Sequence, residues 1–209
     1  MVDPHNTGTQ QLRRSPVTAL QDRLAAESHD RVALRELGFA VMTALRMDLA
    51  SEAAGRVRAV LGCDLPASVG DVTGAGERSV LWLAPDEFLT WAPDGAADPV
   101  ASAEELAEAI GTDRGQAVDV SANRTTLELA GPRAASVLAK GCSLDLHPRA
   151  FAVGSARTTL LCDIPVIIWR VGDDTWRVLP RSSFAEHLAS WLLDGMAEFA
   201  DERGEPLWR

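Results

Sequence analysis

The stretch DVSANRTTLELAGPRAASVLAKGCSLDLHP, Asp119 to Pro148, passes from a strand pattern through Gly131-Pro132 into a short helix and leaves at Gly141-Cys142. In RTTLELA, Arg124 to Ala130, apolar Leu127 and Leu129 alternate with polar neighbours, the period of a strand with one face on a core. Pro132 suits the first turn of a helix, where its missing N–H has no partner to lose, and Ala134, Val137 and Leu138 fall on one stripe. A single glycine joins strand to helix, whereas a phosphate cradle needs several backbone amides freed by clustered glycines. No GxGxxG, Walker or GxSxG pattern occurs in the sequence. The stretch therefore reads as strand and helix scaffold.

Working outward, the same two periods organise the rest. RVALREL and VMTALRM alternate as strands, with Val41, Thr43, Leu45 and Met47 on one side. Ala53, Val57, Val60 and Leu61 make a helical stripe, SVLWLAPDEFLTWAP reads as a hairpin turning at Pro85-Asp86, and Ser102 with Glu105 reads as a capping box opening a second helix. QAVDVSA returns as a strand. After the opening stretch, ARTTLLCD is a strand and VIIWRVGDDTWRVLP a hairpin turning at Gly172-Asp173-Asp174. Ser183 and Glu186 repeat the capping box before the stripe Phe184, Leu188, Trp191 and Leu192.

Two comparisons point to an internal repeat. Trp82, Asp86 and Pro93 recur at the same spacing as Trp169, Asp173 and Pro180, and Gly62-Cys63 follows its helix as Gly141-Cys142 follows another. The expected architecture is α+β, two pseudo-duplicated βαββαβ halves over residues 15–120 and 121–196, with polar tails at 1–14 and 197–209. Coincidence is the alternative, since Trp, Asp and Pro are common in hairpins.

The chain has 209 residues, 46% of them apolar, enough for a substantial core. A formal net charge of -10 repels nucleic-acid phosphates and anionic lipid, so neither is expected as a partner. No apolar run approaches the ~20 residues that span a bilayer, and no secretory signal follows Arg13-Arg14. Cys63, Cys142 and Cys162, odd in number and widely spaced, do not form a disulfide framework and fit a reducing cytoplasm.

Candidate chemistry is sparse. Cys142 and His147 lie five residues apart, but a metal site needs three or four ligands and nothing completes the set. His187 lies among apolar positions of the last helix. Ser121 and Arg124 in DVSANRT have the chemistry to hold an anion; the simpler reading has Asp119 and Ser121 satisfying turn backbone between two strands. Six tryptophans accompany no tyrosine. Trp82 and Trp169 read as partly core. Trp91, Trp176 and Trp208 stand near polar residues at element ends, where interface anchors are enriched, with packing inside the chain as the alternative for each. Leu207 and Trp208 follow the charged DERGEP with no local core to join, so docking and lack of order stand level.

DVSANRTTLELAGPRAASVLAKG resembles the Asp-Val-Ser, Gly-Pro-x-Ala, Leu signature of the aminomethyltransferase-like folate-binding fold family. With AKGCSLDLHPRAF and SVLWLAPDEFL the resemblance narrows to the gamma-subunit family of heterotetrameric sarcosine oxidases, over about Ser15 to Asp194. It implies a subunit without its own catalytic, cofactor-binding or metal residues, whose role is assembly. The complex so implied oxidatively demethylates sarcosine to glycine, with formaldehyde or methylene-tetrahydrofolate and hydrogen peroxide. FAD, FMN, NAD and tetrahydrofolate are implied on other subunits, the alpha subunit as the main contact, and beta and delta as further partners. The candidate interface residues are Trp91, Trp176, Leu207 and Trp208. A free-standing folate-binding one-carbon transferase and a binding module of another flavoenzyme complex stay open as alternatives.

Overall fold

The computed structural model describes residues 13–200. Its strands are β1 (Ala33–Leu37), β2 (Val41–Met47), β3 (Val72–Ala75), β4 (Arg78–Ala84), β5 (Glu87–Ala92), β6 (Gly115–Asp119), β7 (Thr126–Ala130), β8 (Ala156–Leu161), β9 (Ile164–Gly172) and β10 (Thr175–Pro180). The helices are α1 (Gln21–Ala26), α2 (Glu52–Leu61), α3 (Pro99–Ile110), α4 (Ala134–Ala139) and α5 (Ala185–Met196). Two five-stranded sheets form, ordered β3-β4-β5-β2-β6 and β1-β7-β10-β9-β8. Every strand pairing in them is antiparallel.

Alternation along single strands shows how the sheets stack. In β9, Ile164, Val166 and Ile168 pack with Val137, Leu188 and Leu192 of α4 and α5, while Ile167 and Trp169 join Met42, Leu81 and Leu89 of the other sheet. In β2 and β4, Leu45 and Val80 face Val57, Leu61 and Leu106 of α2 and α3. The order of layers is helix, sheet, sheet, helix. The central strands are covered on both faces, which is why IPVIIWRV reads as a nearly continuous apolar run. Each fully buried Leu, Ile or Val contributes about 1.5–3 kcal/mol.

Several expectations change. The expected division at residue 120 does not separate the sheets: β1 pairs with β7, Ala33 opposite Ala130 and Leu37 opposite Thr126. Alternation identified β1 as a strand but carries no information about its partner. The chain thus crosses between the sheets at 38–40 and again at 120–125. The βαββαβ order also gains a strand, β3, whose short VTGA lacks an apolar alternation to mark it. Trp82 and Trp169 do not occupy equivalent places either. Trp82 packs on the helix side of its sheet and Trp169 on the inter-sheet side, so their shared spacing marks opposite faces.

The helix starts differ as well. Asp98, not Ser102, caps α3: its Oδ1 accepts from the Ala101 amide at 2.9 Å, Pro99 follows in the first turn, and Ser102 is buried a turn later. A 3-10 turn, Ser182–Phe184, leads into α5 without a side-chain cap. Of the α2 stripe, Ala53, Val57 and Leu61 are buried while Val60 is exposed. Gly131 has a specific reason to be glycine. Its φ is +122°, and a Cβ there would meet the Arg31 carbonyl oxygen at 2.5 Å. It permits close approach of two backbones, a scaffold role.

Candidate functional site

Where the two sheets face each other, Trp91 of β5 and Trp169 of β9 meet edge to face, centroids 5.7 Å apart at 74°. The Arg177 guanidinium sits over both rings, 4.4 Å and 4.9 Å from their centroids. Its Nε donates to Glu128 at 3.3 Å, and Arg35 Nε donates to the same carboxylate at 2.9 Å. Trp91 Nε1 donates to Thr126 Oγ1 at 3.1 Å. Cation, carboxylate and indole N–H all have partners within the chain, so this cluster closes the inter-sheet space. Sequence reading passed over Arg177 and Glu128 because their encounter spans two sequence-distant strands.

That placement corrects two of the four interface candidates. Trp91 is buried between the sheets, and Trp176, 1% exposed, packs edge to face on Phe151 at 5.2 Å. Neither offers a surface anchor, because the alternating polar neighbours that marked them as element ends lie on strands covered on both faces. Leu207 and Trp208 lie outside the described residues.

Among the described residues the thiols and histidines do not converge. Cys142 is buried and bridges its backbone to Leu161; Cys63 and Cys162 are half-buried and free. His147 is exposed, its amide donating to Asp145 Oδ1 at 2.9 Å and its Nδ1 accepting from the Arg149 amide at 3.2 Å. It builds a turn. Among the described residues no three His, Cys, Asp or Glu side chains gather in a geometry that would hold a metal ion.

DVSANRT gives a divided answer. Asp119 Oδ1 accepts from the amide and hydroxyl of Ser121 at 2.9 Å and 2.6 Å, and Ser121 Oγ accepts from the Met42 amide at 3.0 Å. Both side chains serve the turn between β6 and β7. Arg124 does not. Its Nη1 donates to the Leu179 carbonyl at 2.9 Å, and it lines a cleft of about 290 Å³ with Arg13, Arg14, Phe39 and Asp119. Burial lowers its pKa, the nearby Arg181 charge adds to that, and Glu87 opposes both.

Comparison with known proteins decides the family. The model of the sarcosine oxidase gamma subunit family matches residues 46–198. The chain belongs to that family. It is 49% identical over 191 residues to the sarcosine oxidase subunit gamma of an Arthrobacter species, covering 90% of this chain and 92% of the relative. The corresponding subunit of Corynebacterium sp. strain P-1 is 48% identical over 193 residues, with 91% and 93% covered. Among solved structures, a chain of the heterotetrameric sarcosine oxidase of Corynebacterium sp. U-96, in complex with pyrrole 2-carboxylate, superposes with a TM-score of 0.85. That match has 46% identity and covers 91% of this chain and 98% of the other. Glycine cleavage system aminomethyltransferase T from Bartonella henselae shares the fold, with a TM-score of 0.58 at 21% identity over 82% of this chain and 48% of its own. No helix among the described residues is long and apolar enough to cross a membrane.

Proposed function

We propose that this chain is the gamma subunit of a heterotetrameric sarcosine oxidase and serves assembly instead of catalysis. The observation that carries the reading is the superposition on a chain of such a complex, with a TM-score of 0.85 and 98% of that chain covered. The interior is consistent with it: the inter-sheet space that two facing sheets could offer a ligand is filled by Trp91, Trp169 and Arg177. In this reading the alpha subunit is the main contact, with beta and delta as further partners. FAD, FMN, NAD and tetrahydrofolate reside on those other subunits, and the complex is cytoplasmic, where it converts sarcosine to glycine. The matching strand orders, β3-β4-β5-β2-β6 and β8-β9-β10-β7-β1, support an origin by duplication in which β1 takes the place that β6 holds in the other sheet.

Co-expression with the other subunits tests this. Purification through a tag on this chain is expected to yield a yellow complex with flavin absorbance, while the chain alone is colourless and inactive toward sarcosine. Stoichiometric flavin on the single chain, or a chain that purifies alone from the co-expressing cells, would overturn it.

A further inference from the structure

The cleft at the seam is lined by three arginines and one aspartate. Both crossings between the sheets line it, through Phe39 in one and Asp119 to Thr125 in the other. Of its charged residues, Arg13 lies 3.4 Å from Asp94 and over the Phe39 ring at 5.3 Å, and Asp119 is engaged by Ser121. No carboxylate of the described residues comes within 4.0 Å of Arg14 or Arg124, nor of Arg181, whose backbone bridges to that of Arg124. In a chain with net charge -10, three such arginines gather at the cleft, against Asp119 in its lining and Glu36, which accepts from Thr125 of that lining at 2.6 Å.

Arg124 makes this costly. A guanidinium has five N–H donors, and the one hydrogen bond its side chain makes among the described residues is that of Nη1 to Leu179. It is half-buried, its pKa lowered by that desolvation, and its remaining donors are left to the water of the cleft. An anion brought from outside offsets the desolvation and the repulsion from Arg181 together. The planar donor fork of arginine matches a carboxylate, and the apolar flank of Phe39 and Pro16 suits the methylenes that carry it.

We propose that this cleft is a carboxylate-binding site that receives an aspartate or glutamate side chain of a partner chain. This rests on the reading of the protein as a subunit. The carboxylate occupies the mouth formed by Arg14 and Arg124, steering the partner onto the seam and fixing its register.

The test uses the full chain and the remaining subunits of the complex, with association measured by titration at low and moderate salt. Arg14→Glu changes an exposed side chain and leaves the core untouched; it is expected to weaken association about tenfold or more, with a shallower salt dependence. Arg14→Glu with Arg124→Gln weakens it further, circular dichroism reporting the fold. Arg114→Glu, at an exposed arginine just before β6, makes the same change in net charge elsewhere and is expected to stay within about threefold of wild type. Wild-type affinity for Arg14→Glu overturns the site while leaving the subunit reading intact, and so does an equal loss for Arg114→Glu. Wild-type affinity for Arg14→Glu together with a lower melting temperature on deletion of residues 1–12 assigns the cleft to the chain's own tail and overturns the proposal too. A wild-type chain that fails to join the other subunits overturns both readings.

Discussion

Arg170 is a cation held by carbonyl oxygens. Only 5% exposed, it donates from Nη1 to Phe151 at 2.8 Å, from Nη2 to Asp173 at 2.7 Å and from Nε to Gly172 at 3.3 Å, and it lies over the Trp176 ring at 5.2 Å. It ties the loop before β8 to the β9–β10 turn. Removing it leaves buried carbonyls unpaired and a void beside Trp176, so Arg170→Ala is expected to lower stability by about 3 kcal/mol or more. The midpoint of urea unfolding measures this; a midpoint unchanged within error would refute the role. The sequence did not disclose it. In VIIWRVG an arginine after an apolar run reads as the solvent end of a strand, and only the loop folded over that end buries it. The candidate site was legible to the same limited degree: DVSANRT contained both a turn and an anion-binding reading, and the structure gives Ser121 the first and Arg124 the setting for the second. Arg13 and Arg14 reach the cleft through tertiary contacts that no spacing encodes.

At the scale of elements, period and turn chemistry were the reliable signals. The hairpin turns at Pro85-Asp86 and Asp173-Asp174 stand where the sequence placed them, and Ala134, Val137 and Leu138 bury as one stripe. Helix starts were less legible because two signals competed over α3. Ser102 with Glu105 fits a capping box, yet Asp98-Pro99 upstream supplies an acceptor at the N-cap and a preset φ in the first turn. Ala103, Leu106 and Ile110 are buried with either start, so the Asp98 acceptor and Pro99 decide between them. Asp98→Ala is expected to cost about 1 kcal/mol, while Ser102→Ala, at a position that caps nothing, costs less. Thermal melts of the two variants decide between the starts, and a larger loss for Ser102→Ala would restore the capping box.

For the whole molecule, the consequential difference between sequence and structure is the place of β1. A chain divided at residue 120 would suggest two halves able to fold apart. Instead β1 forms the edge of the sheet that contains β7 to β10, and Leu34 lies in the same core as Leu127, Val178 and Leu188. A fragment beginning at 121 would lose that strand, along with Val17, Leu20 and Leu24, which pack against the same core. A fragment ending at 120 would carry β1 unpaired and expose Met42, Leu81, Leu89 and Trp91 on its inter-sheet face. Each piece therefore loses an edge or a whole buried face, and the hydrophobic contribution that remains is set against an undiminished chain entropy. The intact protein is expected to unfold in one cooperative transition, with calorimetric and van't Hoff enthalpies equal within error. Fragments 13–120 and 121–200, expressed separately, should show little fixed tertiary structure by near-ultraviolet circular dichroism and regain it on mixing. Two resolved calorimetric transitions, or a natively folded 121–200 fragment, would show that the inter-sheet core and β1 are dispensable to each half.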